Sequence, residues 1–288
     1  MFSEEQQVLS KLERTVGLAR DAALRELRGL CLDSFGEIFI NLPLKGYPRL
    51  SAVLPRMASA ETQQAWTGSH GYPLLRESLT FVRAMWHAYE RFSARPLSDA
   101  RILDYGCGYG RLLRLMLFFA DEARLHGCDP WDRSIQLCQE AGIGCDLRLT
   151  DYLPESLPYA ERSFDLIYAF SVFTHTSERS TRTALEALAN VIKPEGVLVI
   201  TIRPREYWGY HAPLEPGERE RLEAAHVDRG FAFRPHNRQA IQGDITYGDT
   251  SMSLEFLARE FPAWSIIGTE RTIDAPYQRI VYLRRADN

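Results

Sequence analysis

The chain has 288 residues, with 34 lysines and arginines against 38 aspartates and glutamates and a formal net charge of −4. This length is enough for one α/β domain with additions or for two small domains. The slightly acidic balance disfavours a broad nucleic-acid-binding surface. The acidic N-terminus has no apolar signal core, and no run of residues is long and apolar enough to span a membrane. These features predict a cytoplasmic protein without nucleic-acid or membrane partners.

The five cysteines are scattered along the chain, and none forms a Cys-x-x-Cys pair. A structural zinc site or a redox dithiol is therefore disfavoured. Their odd number fits reduced, buried thiols of an intracellular protein. We predict no metal site.

The first hundred residues are predicted to be mainly helical. Apolar residues recur at steps of three and four over residues 4–30, which predicts one long amphipathic helix. Residues 41–73 are punctuated by Pro and Gly and are predicted to be rich in loops. A second amphipathic helix is predicted over residues 74–92. We interpret residues 1–99 as a helical extension or cap in front of a main domain that spans residues 100–288.

From residue 101 onward, short apolar runs alternate with helical patterns, which argues for a parallel sheet with helices on both faces. The predicted strands cover residues 101–105, 124–128, 145–149, 164–170, 197–202, 264–270 and 278–284. The predicted helices cover residues 111–121, 133–140, 178–192 and 252–260. A short link joins the last two strands, so they should pair antiparallel. Residues 203–248 break the alternation and are predicted to be an insertion on the substrate side.

The chain is organised around residues 102–111, in which an apolar run ends at Asp104 and three glycines follow at alternate positions. These glycines are Gly106, Gly108 and Gly110, and a helical pattern begins directly after them. Glycines in a strand–turn–helix unit allow close approach of a ligand, and the helix start leaves backbone N–H groups free to face it. A tight turn alone needs fewer glycines, and a dinucleotide-binding loop has the different spacing G-x-G-x-x-G.

This stretch resembles motif I of the class I S-adenosylmethionine (SAM)-dependent methyltransferases. The resemblance covers residues 100–203 and, more loosely, 250–285. It implies a Rossmann-like doubly wound sheet in the order 3-2-1-4-5-7-6 with an antiparallel last strand. It also implies SAM as the methyl donor and S-adenosylhomocysteine as the product. By the same resemblance, Asp104 meets the amino group of the cofactor, and the glycines with Cys107 pass beneath its methionine and ribose moieties.

Two further acids follow strands and are candidates for cofactor binding. Asp129 lies about 20 residues beyond the glycines, where an acid hydrogen-bonds a ribose diol in nucleotide-binding folds. Its alternative role is an N-cap of the next helix. Asp151 ends the third predicted strand, and the resemblance implies that it meets the adenine amino group while Tyr152 lies along the ring.

The segment Trp66, Thr67 and Gly68 lies in the loop-rich region upstream of the glycines. In methyltransferases that resemble this chain, the segment before motif I covers the cofactor. That would place these three residues over the bound ligand. The alternative is a surface loop with one anchoring aromatic side chain.

The run from Phe170 to His175 follows the fourth predicted strand and contains the sequence Val-Phe-Thr-His. A similar run recurs in methyltransferases associated with glycans and secondary metabolites. Ligands bind outside the carboxyl ends of parallel strands, so Phe170 should contact the cofactor and His175 should lie near the methyl group. His175 is our candidate general base; the alternative is a histidine that only shapes the pocket.

The insertion should form the acceptor pocket together with the N-terminal helices. Its candidate side chains are cationic or aromatic: Arg203, Arg205, Tyr207, Trp208, His211, Arg234, His236 and Arg238. Arginines suit a phosphate or carboxylate, which would make the acceptor anionic. The alternative is a solvated lid, because Arg and Glu alternate over residues 215–229.

These observations predict a SAM-dependent methyltransferase that acts on an oxygen, and in second place a nitrogen, of a small molecule or glycan. One alternative is a nicotinamide-dependent oxidoreductase, which the glycine spacing disfavours. The other is a SAM-binding protein that has lost activity, since a fold does not fix function.

Overall fold

The computed structural model describes residues 3–210, 214–215, 217–273 and 276–286. Its strands are β1 (Ile102–Tyr105), β2 (Leu125–Asp129), β3 (Asp146–Leu149), β4 (Phe164–Ala169), β5 (Ile192–Ile202), β6 (Phe231–Pro235), β7 (Gly248–Met252), β8 (Trp264–Arg271) and β9 (Arg279–Arg285). Its first helices are α1 (Ser3–Arg14), α2 (Arg20–Leu27), α3 (Leu32–Ile40), α4 (Pro48–Val53), α5 (Ala60–Thr67) and α6 (Gly71–Phe92). The others are α7 (Arg111–Met116), α8 (Asp132–Glu140), α9 (Glu178–Val191), α10 (Tyr207–Tyr210), α11 (Glu218–Arg229) and α12 (Leu254–Glu260).

The main sheet has the order β3-β2-β1-β4-β5-β9-β8 in the described part of the chain. Strands β1 to β5 pair in parallel, whereas β9 pairs antiparallel with both β5 and β8. This arrangement confirms the predicted order, because two strands of the insertion precede the last two strands of the sheet in the numbering. Asp104 and Asp129 thus end adjacent parallel strands at the same edge.

Each face of the sheet has its own core because side chains alternate along a strand. Leu166 and Tyr168 of β4 pack with the N-terminal helices and α7. Ile167 and Ala169 pack on the opposite face with α9 and α12. The N-terminal helices therefore share a core with the sheet, which makes the extension an integral layer of the fold.

The single helix predicted over residues 4–30 is wrong. The chain forms α1 and α2 instead, and Gly17 in the break has φ +66°, a left-handed conformation that a helix cannot contain. Val16, which continued the apolar stripe, is 89% exposed. The periodicity persisted across the break because both short helices bury the same kind of stripe.

The loop prediction for residues 41–73 is wrong in part, since α4 and α5 lie inside it. Ser59 begins α5 as an N-cap, accepting a hydrogen bond from the backbone N–H of Thr62, and Gly68 ends it in the left-handed conformation. Trp66 and Thr67 are therefore helical. Residues 193–196, between the predicted helix 178–192 and the predicted strand 197–202, lie in an irregularity of β5, where Phe164 pairs with Ile192 and Leu166 with Val197.

The insertion carries a small unit of its own. Strands β6 and β7 form an antiparallel hairpin, with Phe231 opposite Met252 and Pro235 opposite Gly248. Trp208, Leu222 and Ala232 form a separate apolar cluster beneath α10 and α11. Strand β7 of the hairpin lies at the carboxyl edge of the sheet. The backbone N–H of Thr250 donates to the Thr174 carbonyl, and that of Met252 donates to the Arg203 carbonyl, each at 2.9 Å.

Two general features complete the fold. Among the described residues, no helix combines the length and apolar character that a membrane span requires. The described part of the chain also has no group of three or more His, Cys, Asp or Glu side chains arranged to hold a metal ion.

Candidate active site

The glycine loop is fastened to the neighbouring strand. The backbone N–H groups of Gly106 and Cys107 donate to the carbonyl oxygen of Cys128, at 2.8 and 3.0 Å. Gly106 has φ +75°, and a Cβ atom there would lie 2.5 Å from Cγ2 of Val172. Only glycine fits this position, because any side chain would be strained and would collide with the loop after β4.

Asp129 holds the loop from the end of β2. Its Oδ2 accepts the backbone N–H of Gly108 at 2.9 Å, and its Oδ1 accepts that of Trp131 at 2.9 Å. Burial raises the pKa of this carboxyl, whereas the two N–H donors lower it. Each carboxylate oxygen keeps a second lone pair, which leaves acceptor capacity for a ligand hydroxyl.

Asp104 is a buried carboxylate without a cationic partner. It is 3% exposed, and no Lys, Arg or His among the described residues forms an ion pair with it. Its pKa is raised to about 8, mainly by burial and also by the Asp129 carboxylate, although the Tyr168 hydroxyl and the Arg111 guanidinium act in the opposite direction. A ligand ammonium group would supply the missing charge.

Aromatic side chains cover the loop. The Trp66 ring from α5 stacks on Trp131, with centroids 4.6 Å apart and planes at 20°. It also packs edge-on against Tyr109, at 5.8 Å. Carbon Cε3 of Trp66 lies 3.9 Å from a Cβ built on Gly108. The N-terminal extension thus reaches the glycine loop, and Thr67 and Gly68 directly follow Trp66 in the chain.

Asp151 and Tyr152 lie beyond the end of β3. Asp151 is exposed and Tyr152 is half-buried. Thr150, next to them, donates its backbone N–H to the Asp129 carbonyl, while its hydroxyl is buried without a hydrogen-bond partner in the described chain. Leu149 and Trp131 are 54% and 44% exposed on this side. An exposed apolar patch beside an unpaired hydroxyl and an acid suits a heteroaromatic ring.

The residues around the glycine loop fit SAM on these observations. The donor set offers a buried acid that lacks a cation, a second acid with free lone pairs, and an apolar patch with an unpaired hydroxyl. Phe170, by contrast, faces the helices: its ring packs on Phe81 at 4.5 Å and lies under the Arg111 guanidinium at 5.1 Å. Its predicted contact with the cofactor stays a prediction.

The loop after β4 is strained. Ser171 has φ +61°, which is rare for a residue with a side chain. Its backbone N–H donates to Oγ1 of Thr201 at 2.7 Å, and its hydroxyl bonds that of Thr174 at 3.2 Å. These bonds turn the chain so that Val172 contacts the glycine loop and His175 faces the insertion.

His175 has a partner at each ring nitrogen. Nδ1 donates to the Gly248 carbonyl at 2.7 Å, since a carbonyl can only accept, and Nε2 accepts from Nη2 of Arg203 at 3.0 Å. Burial, followed by the Arg203 charge, lowers the pKa of His175 to about 4. Its lone pair is occupied, so these bonds argue against the prediction that His175 is the general base.

Arg203 and Asp249 form the centre of a polar cluster at the ends of β5 and β7. Nη1 of Arg203 donates to Oδ1 of Asp249 at 2.9 Å and to the Thr174 carbonyl at 2.8 Å. Oδ1 of Asp249 also accepts the Tyr207 hydroxyl at 3.0 Å, and Oδ2 pairs with Nε2 of His236 at 2.8 Å. We call Arg203, Asp249, His175, His236 and Tyr207 the Arg203 cluster.

The other predicted arginines of the insertion differ in their partners. Arg234 pairs with Glu218 at 3.0 Å, and Arg205 lies 4.0 Å from Glu206. Arg238 lies over the Tyr247 ring at 4.1 Å, and no carboxylate among the described residues pairs with it.

Two predicted acceptor contacts need comment. Trp208 is buried, and its Nε1 donates to the Ser251 hydroxyl at 2.8 Å, so it supports the insertion rather than facing an acceptor. His211 lies outside the described residues.

Sequence reasoning missed several residues of the site. Tyr247 lies near the end of the predicted insertion and Asp249 directly follows it, and their place depends on the β6–β7 hairpin, which no local pattern indicated. Trp131 and Thr150 lie within three residues of strand ends that were predicted. Their closeness to Asp129 and Asp151 is the signal that would have found them.

Part of the chain matches a known protein family. Residues 102–196 match the family described as a methyltransferase domain. This match and the sheet order agree with the resemblance of motif I to the class I SAM-dependent methyltransferases.

Individual relatives are similar over part of the chain. A glycine/sarcosine/dimethylglycine N-methyltransferase from Actinopolyspora halophila is 30% identical over 112 residues, covering 36% of this chain and 18% of that protein. A ubiquinone biosynthesis O-methyltransferase from Bartonella bacilliformis is 28% identical over 130 residues, covering 42% and 50%. The chain thus spans half or less of the length of these curated relatives. Their names divide between nitrogen and oxygen as the target atom.

The fold is also similar to a solved structure. A SAM-dependent methyltransferase from Clostridium acetobutylicum superimposes with a TM-score of 0.51 at 11% sequence identity. The match covers 79% of this chain and 97% of that one.

Proposed function

We propose that this chain transfers the methyl group of SAM to an oxygen, and in second place to a nitrogen, of a small molecule or glycan. One observation carries the proposal: two buried acids, Asp104 and Asp129, flank the glycine loop, and Asp104 lacks a cation. A ligand with both an ammonium group and a ribose diol would satisfy these acids.

The cofactor would lie along the carboxyl ends of β1, β2 and β3. Asp104 would bind its amino group, and the loop Gly106, Cys107, Gly108 and Gly110 would pass beneath it. Asp129 would accept the ribose hydroxyls while it keeps the loop in place.

The adenine end would lie beyond β3, and the N-terminal extension would close the site. Asp151 and Tyr152 would line the adenine side next to the Leu149–Trp131 patch. Trp66, Thr67 and Gly68 would cover the ligand from α5, which supports the role of residues 1–99 as a cap.

SAM supplies an electrophilic methyl group on a sulfonium when it is bound. The chain then has to hold an acceptor atom in line with that group and keep water out, and positioning of this kind supplies much of the rate. The loop after β4 contacts the glycine loop through Val172, and the Arg203 cluster adjoins it. These contacts favour an acceptor that enters between the loop after β4 and the insertion.

Arg238 favours an acceptor with an anionic group. Its guanidinium is exposed, lies over Tyr247 and has no carboxylate partner among the described residues, whereas Arg203 and Arg234 are already paired. A free guanidinium held on a ring is suited to a carboxylate or phosphate.

The test is calorimetry with SAM and S-adenosylhomocysteine. Wild type should bind both at micromolar concentration, and Asp129→Asn should weaken binding by about 10- to 100-fold, because an amide would face two N–H donors with one acceptor. Asp132→Asn is the matched control, since Asp132 is an exposed acid at the start of α8. Absence of binding, or equal affinity in both variants, would contradict the cofactor site.

Activity needs a second measurement. Transfer of labelled methyl from SAM should be followed with 3,4-dihydroxybenzoate, which offers hydroxyls and a carboxylate, and with sarcosine, which offers an amine. Arg238→Ala should raise KM for the benzoate with little change in SAM affinity. Tight SAM binding without transfer to any acceptor of a wider screen would instead support a silent SAM-binding protein.

A further inference from the structure

Asp249 and His236 form a carboxylate–imidazole pair within the Arg203 cluster. Oδ2 of Asp249 and Nε2 of His236 lie 2.8 Å apart. The carboxylate is buried, with a side chain 6% exposed, whereas the imidazole is 37% exposed. One end of the pair is therefore fixed inside the protein, and the other end can meet a ligand.

The partner of Nε2 determines the tautomer of His236. A carboxylate oxygen only accepts hydrogen bonds, so Nε2 carries the hydrogen and Nδ1 carries the lone pair. No residue in the described ranges bonds Nδ1. His236 thus presents an open proton-accepting nitrogen, which His175 lacks because Arg203 occupies its lone pair.

Packing holds the imidazole in place. Its backbone N–H donates to the Tyr247 carbonyl at 3.1 Å, and its ring packs edge-on against the Tyr247 ring at 5.4 Å. The Tyr247 ring also stacks on the His175 ring, with centroids 5.1 Å apart and planes at 5°. An imidazole with a fixed orientation and a carboxylate at its far nitrogen has the arrangement of a general base.

The charges around His236 come from several elements. Asp249 of β7 favours the imidazolium, whereas Arg203 at the end of β5 and Arg238 after β6 oppose it. His175 after β4 is neutral, and Tyr207 of α10 donates its hydroxyl to the same Asp249. Among the described groups, Asp249 is the only anion in direct contact with His236, so it alone supplies the counter-charge that an imidazolium there would need.

A series of contacts connects His236 to the glycine loop. Gly106 touches Val172, the segment from Val172 leads within three residues to His175, and His175 stacks on the tyrosine that packs against His236. The open Nδ1 therefore belongs to the same end of the sheet as the proposed methyl group.

We infer that His236, positioned by Asp249, accepts the proton of the acceptor during methyl transfer. This inference rests on the proposed function. As the acceptor oxygen forms its bond to the methyl carbon, the carbon–sulfur bond breaks and its electron pair stays on sulfur. The O–H proton passes to Nδ1 of His236, and Asp249 stabilises the resulting imidazolium.

The inference defines the substrate class more narrowly. The acceptor carries a proton on its nucleophilic oxygen at neutral pH, so it is a hydroxyl compound. His236 is the catalytic residue in this scheme, and Asp249 is a positioning residue.

The decisive experiment is nitrogen NMR of the full chain labelled with 15N-histidine, in the presence of S-adenosylhomocysteine. His236→Gln identifies the resonance, and His87→Gln on the exposed face of α6 is the matched control. We expect wild-type His236 to carry its hydrogen on Nε2 and to leave Nδ1 without one in the neutral imidazole. Asp249→Asn should weaken this preference, because an amide can present either its oxygen or its NH2 group to Nε2.

Kinetics of methyl transfer to a hydroxyl acceptor, with 3,4-dihydroxybenzoate as the probe, supply the second measurement. His236→Gln should lower kcat about 100-fold or more, with acceptor KM and cofactor affinity within about threefold. Unchanged kcat would overturn the inference.

Each outcome bears on one hypothesis. A hydrogen on Nδ1 of neutral wild-type His236 also overturns the inference; this reading uses His236→Gln only to assign the resonance and needs no acceptor. Failure to bind S-adenosylhomocysteine would contradict the proposed function while the resting tautomer of His236 could still be read.

Discussion

Arg203, at the end of β5, forms an ion pair with Asp249, at the start of the second strand of the insertion hairpin, with Nη1 and Oδ1 2.9 Å apart. Both residues are buried, at 8% and 5% exposure. The pair joins the main sheet to the insertion, and the two histidines of the site bond to its two members. This buried pair therefore holds the insertion hairpin at the end of the sheet together with the backbone hydrogen bonds from Gly248 to His175 and from Thr250 to Thr174.

Removing one member of this pair should destabilise the fold strongly. Asp249→Ala would leave the Arg203 charge buried without a counter-charge, and we expect a loss of about 3 kcal/mol in urea unfolding. Arg203→Met in the same chain should recover at least about 1 kcal/mol, because the unpaired charge is then gone. A double variant that is less stable than the single one would contradict this account.

Two buried groups should give the ligand-free protein opposite dependences of stability on pH. The pKa of Asp104 is raised from 3.8 to about 8, so its contribution is full below pH 4 and is lost as pH rises through 8. The pKa of His175 is lowered from 6.5 to about 4, so its contribution is present above pH 6.5 and is lost as pH falls through 4. Between about pH 4 and 6.5 the two slopes oppose each other.

Single variants should reveal each slope in chemical unfolding between pH 4.5 and 6.5. Asp104→Asn should leave stability that rises with pH, and His175→Gln should leave stability that falls with pH, each by up to about 1.4 kcal/mol per pH unit. Parallel curves for wild type and both variants would show that neither group titrates as described.

The glycine loop offers a matched pair of substitutions. Gly106→Ala has to bear both a left-handed conformation and a Cβ 2.5 Å from Val172, whereas Gly17→Ala has φ +66° and no atom within 4 Å. We expect Gly17→Ala to cost about 1 kcal/mol and Gly106→Ala at least about 2 kcal/mol more. Thermal unfolding measures both, and equal losses would mean that the contact with Val172 relaxes freely.

The stacked indoles should report cofactor binding. Near-ultraviolet circular dichroism should show a coupled signal from Trp66 and Trp131 that disappears in either Trp→Phe variant. A double-mutant cycle in the ligand-free protein should give a coupling of about 0.5–1.5 kcal/mol. The signal should change when S-adenosylhomocysteine is added; an unchanged spectrum would mean that the ligand leaves the pair in place.

Sequence reasoning recovered the sheet because its signals are local. Each strand is a short apolar run that ends at a turn, and the resemblance supplied the order of strands. The acids Asp104 and Asp129 could be located because the end of a parallel strand fixes where its next residues lie. The break at Gly17 was missed because the apolar residues of α1 and α2 keep the same three- and four-residue spacing across the turn between the two helices.

The acceptor side could not be predicted to the same depth. The bonds that decide the roles of His175 and His236 come from Arg203 and Asp249, which are 46 residues apart along the chain. No periodic pattern specifies a contact over that distance in an insertion rich in Arg, Gly and Pro. The types of residue were found, but which nitrogen remains free depends on tertiary geometry.

The separate apolar cluster of Trp208, Leu222 and Ala232 has a consequence for how this protein can change. Neighbouring residues of β6 face in different directions: Phe231, with Met252 of β7, belongs to the core that α9 and α12 share with the sheet, whereas Ala232 belongs to the separate cluster. Replacements within the cluster should therefore leave the core of the sheet intact. An exchanged hairpin would have to supply the apolar side chains of Phe231 and Met252 as well as an acid opposite Arg203.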